Sequence, residues 1–136
     1  MEDCIFCKIV DGKIPSSKVY EDENVISFLD IMPANRGHCL VAPKKHYETL
    51  LDIPDNDLAN LIKAAKKVAK ALSLSIGNGS YNLVMNNGKE AGQLVSHAHI
   101  HIIPRFKGDR LRLTWSHKKY LDKEMEEVQE MVRKFV

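Results

Sequence analysis

Three histidines alternate with apolar residues in the second half of the chain. Residues 97–101 read HAHIH, and the apolar run IIP follows at 102–104. Because side chains on a β-strand point to alternate faces, this spacing predicts a strand that presents His97, His99 and His101 on one face. We call these three residues the histidine run. A neutral imidazole can bind a metal, attack an electrophile or donate a proton, so the run predicts a chemical centre.

The spacing of the histidine run limits how it can bind a metal. On a strand, neighbouring histidines lie about 6.6 Å apart and the outer two about 13 Å apart. Bonds of about 2 Å cannot join all three rings to one ion. Two interpretations stay open. Either a neighbouring pair holds a metal, or one histidine at the end of the strand does so while the other two do chemistry.

A CxxC motif near the N-terminus supplies further metal-binding side chains. Cys4 and Cys7 lie in a segment without the strand and helix pattern of a redox protein, so half of a zinc site is the better interpretation. His46 directly follows a predicted strand and can project from the edge of the sheet. Together with His97 at the end of the histidine run, these residues would form a closed site for one structural zinc per subunit. The simpler alternative is a pair of half-buried thiols.

A glycine-containing loop precedes the histidine run. Residues 86–96 read NNGKEAGQLVS, and glycine lets backbone N–H groups approach an anion closely. The loop is therefore a candidate phosphate cradle, although a turn between two strands uses the same residue types and is the commoner explanation. Beside a bound phosphate, one imidazole could attack phosphorus and form a covalent phosphohistidine while the next donates a proton to the departing group.

Five strands and two helices must position these groups. Alternation and β-branched residues predict strands near 18–21, 24–30, 38–43, 80–86 and 97–103. A long helix, capped by Asp55 and ending before Gly77, is predicted by the helical spacing of Leu58, Leu61, Ile62, Ala65, Val68, Ala69 and Leu72. A C-terminal helix over 121–136, with a stripe expected to pack in the core or in a dimer, is predicted by Leu121, Met125, Val128, Val132 and Phe135.

The composition indicates one globular domain spanning residues 1–136. The chain is 44% hydrophobic and 28% charged, with 20 basic and 18 acidic residues. It has no apolar stretch of about 18 residues and no signal-peptide pattern, so we expect a cytoplasmic protein without a membrane partner. The run 105–119 is rich in Lys and Arg. A solvated loop is the favoured interpretation, and a flexible arm that holds a polyphosphate or a leaving group is the alternative.

The chain resembles the histidine triad (HIT) superfamily. Its signature is His-φ-His-φ-His-φ-φ, where φ is apolar, and HAHIHII at 97–103 fits it fully. The resemblance extends to CIFCKIV at 4–10, FLDIMPANRGHCLVAPKKH at 28–46, the long helix and GQLVSHAHIHIIPR at 92–105. It implies an α+β fold with a five-stranded antiparallel sheet, one long central helix and a C-terminal helix. It also implies a homodimer with a ten-stranded sheet, and activity on purine nucleotides.

The resemblance assigns roles at the chemical centre. His99 matches the nucleophile that attacks the α-phosphorus and takes up the nucleoside monophosphate. His101 matches the contact to the phosphate or bridging atom, and His38 matches a histidine that orients the site. Asp30 matches a ribose contact, and apolar side chains match the walls around the base. The residues that match the nucleotide pocket are Phe6, Ile9, Phe28, Asp30, Ile31, Asn86, Gly92, Gln93, Leu94 and Ser96.

Members of bacterial and archaeal type that keep the CxxC bind a structural zinc at the positions of the two cysteines and two histidines named above. The pocket departs from the family at Leu94, where some branches carry a serine or threonine that holds phosphate. Because leucine cannot donate a hydrogen bond, that contact is absent or moves to Ser96 or to the backbone.

The sequence leaves alternatives open for both the substrate and the type of function. DIMP at 30–33 and PKKH at 43–46 resemble the phosphoramidase branch, whereas IIPRFKGD at 102–109 resembles the branch that cleaves dinucleoside polyphosphates. One competing hypothesis is a metallohydrolase with two catalytic ligands in the histidine run. Another is a zinc-stabilised nucleotide-binding or interaction module with little catalysis. A nucleic-acid substrate is not favoured, because the near-neutral net charge provides little electrostatic footprint.

Overall fold

The fold is a five-stranded antiparallel sheet with helices on both faces. The computed structural model describes residues 3–136, so the first two residues of the predicted domain lie outside the described part. The sheet order is β1-β2-β3-β5-β4, and the prediction of an α+β fold is confirmed. The strands are β1 (Lys18–Glu21), β2 (Val25–Leu29), β3 (Cys39–Pro43), β4 (Tyr81–Val84) and β5 (Ile100–Pro104).

Three helices and two short 3-10 turns complete the secondary structure of the described residues. The helices are α1 (Ile5–Val10), α2 (Asp55–Ser75) and α3 (Glu124–Arg133), and the turns are Leu50–Asp52 and Lys89–Ala91. Sequence reasoning missed α1, because six residues are too few to show a helical period. No helix in this part of the chain combines the length and apolar character needed to cross a bilayer.

Helix α2 packs one apolar face against the sheet. Its buried side chains are Leu61, Ala64, Ala65, Val68, Ala69 and Leu72. The predicted cap is wrong: Pro54 occupies the N-cap position, and Asp55 is the first helical residue without a capping hydrogen bond. Asp55 and Asp57 instead place negative charge in the first turn, where the helix dipole favours it. Ile62, which the stripe included, is 49% exposed at the flank of the helix.

The two faces of the sheet carry separate apolar clusters. Cys39 and Val41 of β3 face α2, together with Ile100 and Ile102 of β5. The other face carries a second cluster, which comprises Phe6, Ile26, Phe28, Leu40 and Ala42. The histidine run lies on this second face, because the Phe6 ring contacts the rings of His97 and His99. The imidazoles are therefore covered by α1 and not by the long helix.

Strand β5 begins at Ile100, so the predicted start of this strand at His97 is wrong. The Ala98 N–H donates to the Tyr47 carbonyl at 2.7 Å instead of to a neighbouring strand. Pro43, at the end of β3, has no N–H to continue a ladder, and its carbonyl accepts a hydrogen bond from His97 Nε2 at 2.8 Å. The first two imidazoles thus stand on the segment that precedes the strand.

The segment after β5 is tied down at its start. The Arg105 guanidinium donates to both carboxylate oxygens of Asp109, at 2.9 and 3.0 Å, and to Asn82 Oδ1 at 2.9 Å. The Arg105 contact holds the pKa of the Asp109 carboxyl well below its usual range. Helix α3 is shorter than the predicted 121–136, and none of its side chains is buried. Its apolar stripe is therefore not part of the core of the described chain.

Gly37 offers a test of the packing that precedes β3. Its φ of +88° is a left-handed conformation, and an added Cβ would overlap Ile76 Cδ1 and lie 3.3 Å from Pro104 Cγ. Gly108 has a similar φ of +76°, but nothing lies within 4 Å of its added Cβ. We expect Gly37→Ala to lower the free energy of unfolding by about 2 kcal/mol more than Gly108→Ala, because only the former adds overpacking to backbone strain. Urea unfolding measures both losses, and equal losses would contradict the packing role.

Candidate active site and metal centre

A mostly apolar cavity of about 440 Å³ lies on the face of the sheet that carries the histidine run. His99 and His101 line one part of its wall. Helix α1, strand β2 and the loop before β5 supply most of the rest. The predicted pocket residues that line it are Phe6, Ile9, Phe28, Asp30, Ile31, Asn86, Gly92, Gln93 and Leu94. Such a cavity, with few polar groups converging on an apolar wall, is typical of a small-molecule site.

Several wall residues were missed by sequence reasoning. Leu40 lies two residues after His38, so strand alternation could have placed it on the same face. Leu29 directly follows Phe28, and alternation alone would have placed it on the opposite face. The segment 14–16 carries no periodic pattern that could have placed it here. The missed residues are Ile5, Ile14, Pro15, Ser16, Leu29, Met32, Leu40 and Val95.

The orientation of His99 leaves one nitrogen free for chemistry. Its Nδ1 lies 2.6 Å from the carbonyl oxygen of His97. Because a carbonyl can only accept, Nδ1 carries the proton and donates it. In the neutral ring the lone pair is then on Nε2. A ring that lines the cavity with an unprotonated nitrogen can act as a nucleophile.

His38 determines the tautomer of His101 through a short relay of hydrogen bonds. The backbone N–H of Ala34 donates to His38 Nδ1 at 3.0 Å, so the proton of the neutral His38 ring is on Nε2. This Nε2 lies 2.9 Å from His101 Nδ1, which must therefore accept. Neutral His101 consequently carries its proton on Nε2. The cavity wall thus pairs a nucleophilic nitrogen on His99 with an N–H donor on His101.

Burial keeps these rings neutral. It lowers the pKa of His38 and of His99 below the ordinary value of 6.5. Burial, together with the neighbouring imidazoles of His99 and His38, lowers the pKa of His101 to about 4. The carboxylate of Asp30 lies 3.7 Å from His38 Nε2 and opposes the shift without overcoming it. At pH 7 all three rings are therefore neutral, as the hydrogen-bond pattern requires.

Asp30, His38 and His101 also form a cluster whose ligand atoms lie within 4.8 Å of one another. A metal there would need the lone pair of His38 Nε2. That nitrogen carries a proton, because the Ala34 N–H occupies His38 Nδ1. This donor pattern does not suit a cation. The pattern instead leaves the Asp30 carboxylate able to accept hydrogen bonds from a ligand. Its Oδ1 already accepts from the Met32 N–H, whereas its Oδ2 has only the longer contact to His38.

The loop 86–96 joins β4 to its antiparallel neighbour β5, and Gly92 has a φ of +90°. The side chain of Gln93 braces this loop: Oε1 accepts from the Gly88 N–H at 2.8 Å, and Nε2 donates to the carbonyls of Glu48 and Val95. Its amide protons are thus committed to the protein. Asn86 lines the cavity without such a bond among the described residues.

Two predicted pocket residues of the same loop are not in the cavity interior. Leu94 is 95% exposed and lies at the mouth. Ser96 lines an adjacent cavity of about 390 Å³, next to Cys4 and His46, and not the cavity of the histidine run. The structure therefore does not bring Ser96 together with His99 as a replacement for the missing polar group.

The four predicted zinc ligands lie together beside the cavity. The Cys4 Sγ to His97 Nδ1 distance is 3.4 Å, and Cys7 Sγ lies 3.4 Å from His46 Nδ1 and 3.6 Å from His97 Nδ1. A tetrahedral zinc with ordinary bond lengths requires S···N separations of about 3.6 Å. His97 Nε2 donates to Pro43, which leaves the Nδ1 lone pair directed at the thiols. Sulfur and nitrogen donors in this arrangement fit zinc.

The remaining predicted residues lie away from the cavity. Cys39 is fully buried against α2, and burial raises the pKa of its thiol to about 11. None of the described residues in the basic run 105–119 lines the cavity. This position supports the solvated-loop interpretation over an arm that reaches the site of its own chain.

Comparisons with known proteins agree with these features. A curated, uncharacterized HIT-like protein of Methanocaldococcus jannaschii is 57% identical over 106 residues, which cover 78% of this chain and 81% of that protein. An adenylylsulfatase of Arabidopsis thaliana is 41% identical over 135 residues, 97% of this chain and 68% of the relative. An adenosine 5'-monophosphoramidase of Saccharomyces cerevisiae is 47% identical over 102 residues, 75% of this chain and 62% of the relative.

Solved structures show the same architecture. A crystal structure from Streptococcus mutans matches with a TM-score of 0.91 and 42% identity, covering 98% of this chain and 85% of that one. A zinc-bound histidine triad family protein from Mycobacterium smegmatis matches with a TM-score of 0.78 and 39% identity, covering 86% of this chain and 85% of that one. The family model of the HIT domain matches residues 11–108, and the chain therefore belongs to the HIT family.

Proposed function

We propose that this protein is a nucleotidyl hydrolase or transferase that acts at the α-phosphorus of nucleoside 5'-phosphoryl compounds. The observation that carries the proposal is the pairing of a free nitrogen on His99 with an N–H on His101 at the wall of an apolar cavity. The apolar wall fits a purine base, and Asp30 offers an acceptor for ribose hydroxyls. Relatives named adenosine 5'-monophosphoramidase and adenylylsulfatase support nucleotide hydrolysis.

The proposed reaction has two displacements at phosphorus. In the first, His99 Nε2 attacks the α-phosphorus and the bond to the leaving group breaks, while His101 Nε2–H donates to the phosphoryl or bridging atom. In the second, water attacks the nucleotidyl-histidine, the P–N bond breaks, and nucleoside monophosphate leaves. The carbonyl of His97 stabilises the positive charge that His99 acquires during attack, because it accepts the Nδ1 proton at 2.6 Å.

The substrates that we propose are adenosine phosphoramidates and dinucleoside polyphosphates. Both relatives with named activities are described by adenylyl compounds, which supports adenosine as the nucleoside. The cavity contributes few polar groups beyond the histidines, so it selects an apolar base more strongly than a particular leaving group.

We also propose one structural zinc per subunit, held by Cys4, Cys7, His46 and His97. The donor geometry and the zinc-bound mycobacterial structure support it. Zinc would hold together segments of the chain that are distant in sequence. Reduced thiols are needed for this site, and we therefore place the protein in the cytoplasm.

A homodimer through the edge of β4 completes the proposal. Strand β4 pairs only with β5, so its outer edge is open among the described strands. Beside this edge lies an apolar groove between β4 and α2, where Ile62, Tyr81 and Leu83 are 43–49% exposed. Pairing β4 with its copy would form a ten-stranded sheet and bury these side chains.

Replacing the proposed nucleophile tests the chemistry. We expect His99→Ala to lower kcat by at least about 10³-fold on adenosine phosphoramidate and on diadenosine tri- and tetraphosphate, because no other free imidazole nitrogen among residues 3–136 lines the cavity in the required tautomer. His117→Ala, which changes an exposed histidine of the C-terminal segment, should keep wild-type rates. Release of nucleoside monophosphate measures both.

Mass spectrometry of enzyme denatured at alkaline pH, where the P–N bond of a phosphohistidine survives, should also find a nucleotidyl adduct on the peptide that contains His99. Turnover without this adduct would favour a metal-bound hydroxide as the nucleophile. Nucleotide binding without turnover on any of the substrates would favour the binding-module hypothesis.

The pKa of His101 predicts how stability depends on pH. Between pH 6.5 and about 4, the unfolded chain binds a proton at His101 and the folded chain does not. The free energy of unfolding therefore falls as the pH falls through this range. Above pH 6.5 neither state binds the proton and the effect vanishes. From pH 7 to pH 5 we expect the wild type to lose about 2 kcal/mol more than His101→Asn, which does not titrate. Parallel losses in urea unfolding at the two pH values would contradict a neutral buried His101.

A charge placed at the open sheet edge tests the dimer. We expect Leu83→Lys to convert the protein to a monomer, because the ammonium would be buried without a partner at the proposed interface. Val19→Lys is the matched control, since Val19 is 49% exposed on β1 at the opposite edge of the sheet. Sedimentation velocity should detect dimer for the wild type and for the control. A monomeric wild type, or a dimeric Leu83→Lys variant, would contradict the proposal that the dimer forms through β4.

A further inference from the structure

Helix α1 belongs both to the metal centre and to the wall of the cavity. Cys4 and Cys7 flank Phe6 in sequence, and Phe6 lines the cavity. The Phe6 ring packs edge-on against His99, with centroids 4.9 Å apart, and against Phe28 at 5.4 Å. The position of this ring therefore depends on the same six-residue helix that contains Cys7 and has Cys4 as its N-cap.

Little else among the described contacts anchors α1 by polar interactions. The backbone hydrogen bonds described for residues 4–14, beyond those inside the helix, run between residues of that segment. The side-chain hydrogen bonds described between this segment and the rest of the chain go from the thiols of Cys4 and Cys7 to His46 and His97. A six-residue helix is not stable alone in water. The metal centre is thus the main polar attachment of this wall to the sheet.

His97 connects the metal centre to the nucleophile from the other side. Its imidazole directs Nδ1 at the thiols and Nε2 at the Pro43 carbonyl, so its ring is held at both nitrogens. Its own carbonyl accepts the proton of His99 Nδ1. A shift of the His97 backbone would change the acceptor that selects the reactive tautomer of His99.

We propose that the metal centre is a positioning element of the active site, which couples metal occupancy to nucleotide affinity through Phe6 and to the His99 tautomer through His97. The first coupling rests on the proposed function, since it requires that the cavity binds a nucleoside monophosphate. The second coupling, between metal occupancy and the His99 tautomer, does not require that the cavity binds a nucleotide. His97 is a positioning residue in this scheme and does not contact substrate.

The first experiment measures the affinity for AMP by calorimetry on the full chain, zinc-loaded and metal-free, with the fold monitored by far-UV circular dichroism. We expect AMP affinity to fall at least about 10-fold without metal and to return when zinc is added, because a loosened α1 must be reordered at the cost of binding energy. Folded metal-free protein with an AMP affinity within about twofold of the loaded protein would overturn the coupling. Cys39→Ala, which removes the thiol on the opposite face of the sheet, should behave as the wild type.

The second experiment observes the ring nitrogens of His99 by ¹⁵N NMR without any nucleotide. In the zinc-loaded chain we expect one tautomer with the proton on Nδ1, and in the metal-free chain a mixture of tautomers. An unchanged single tautomer would overturn the His97 connection. A protein whose His99 tautomer changes as predicted when zinc is removed, but which binds no AMP when zinc is present, would contradict the proposed function. It would still support the His97 connection.

A zinc-binding variant provides a test that does not require the metal-free chain to stay folded. Cys4→Ser keeps three strong ligands and weakens only the attachment at the start of α1. With zinc bound, we expect its AMP affinity to lie between those of loaded and metal-free wild type. By linkage, AMP should raise the zinc affinity of the wild type by the same factor by which zinc raises AMP affinity, measured by competition with a chelator. Wild-type AMP affinity in Cys4→Ser, together with a zinc affinity that AMP does not change, would overturn the proposal.

Discussion

The hydrogen bond from His99 Nδ1 to the carbonyl of His97 is the contact on which the arrangement of the site depends. A buried imidazole needs a partner at its nitrogens, and here a backbone oxygen supplies one that cannot itself donate. The partner removes the choice of tautomer and leaves the reactive lone pair on Nε2. The same rule applies at His38, where the partner is a backbone N–H that donates to Nδ1. The His38 proton is then on Nε2 and is donated to His101 Nδ1, which leaves the proton of His101 on its own Nε2. Throughout the described chain, every buried side-chain nitrogen or oxygen has a partner.

Burial and hydrogen bonding act together in this site. Removing water from the rings disfavours their charged forms, so the pKa values of His38, His99 and His101 all fall below the ordinary value. Neutral rings are what the relay of donors and acceptors requires, and a neutral ring is also what nucleophilic attack requires. A histidine at the surface would share its lone pair with water and with protons at mild acidity. In the proposed reaction, the apolar cavity would therefore contribute to reactivity as well as to binding.

Two parts of the cavity wall come from segments that the sheet alone does not hold. Helix α1 is short and lies over the second face of the sheet through Phe6, while the loop before β5 is braced by the side chain of Gln93. Each of these segments needs local attachments, because neither has the length or the backbone pairing of the strands. The cysteine and histidine cluster supplies such an attachment at one side of the cavity, and the Gln93 amide supplies it at the other.

Local patterns determined much of this protein in advance. The alternation of HAHIH placed the imidazoles on one face, the stripe of α2 predicted its buried side, and the resemblance to the histidine triad superfamily led to the five-stranded sheet that the structure confirms. These features succeed because strand and helix periods are properties of neighbouring residues. The tertiary structure alone decided that β5 begins after the second histidine, that α1 exists, that Ser96 faces a different cavity and that Gln93 braces a loop. Each of these depends on a partner far away in sequence, such as Pro43 for His97 or Glu48 for Gln93, and no local pattern records which distant carbonyl a side chain will meet.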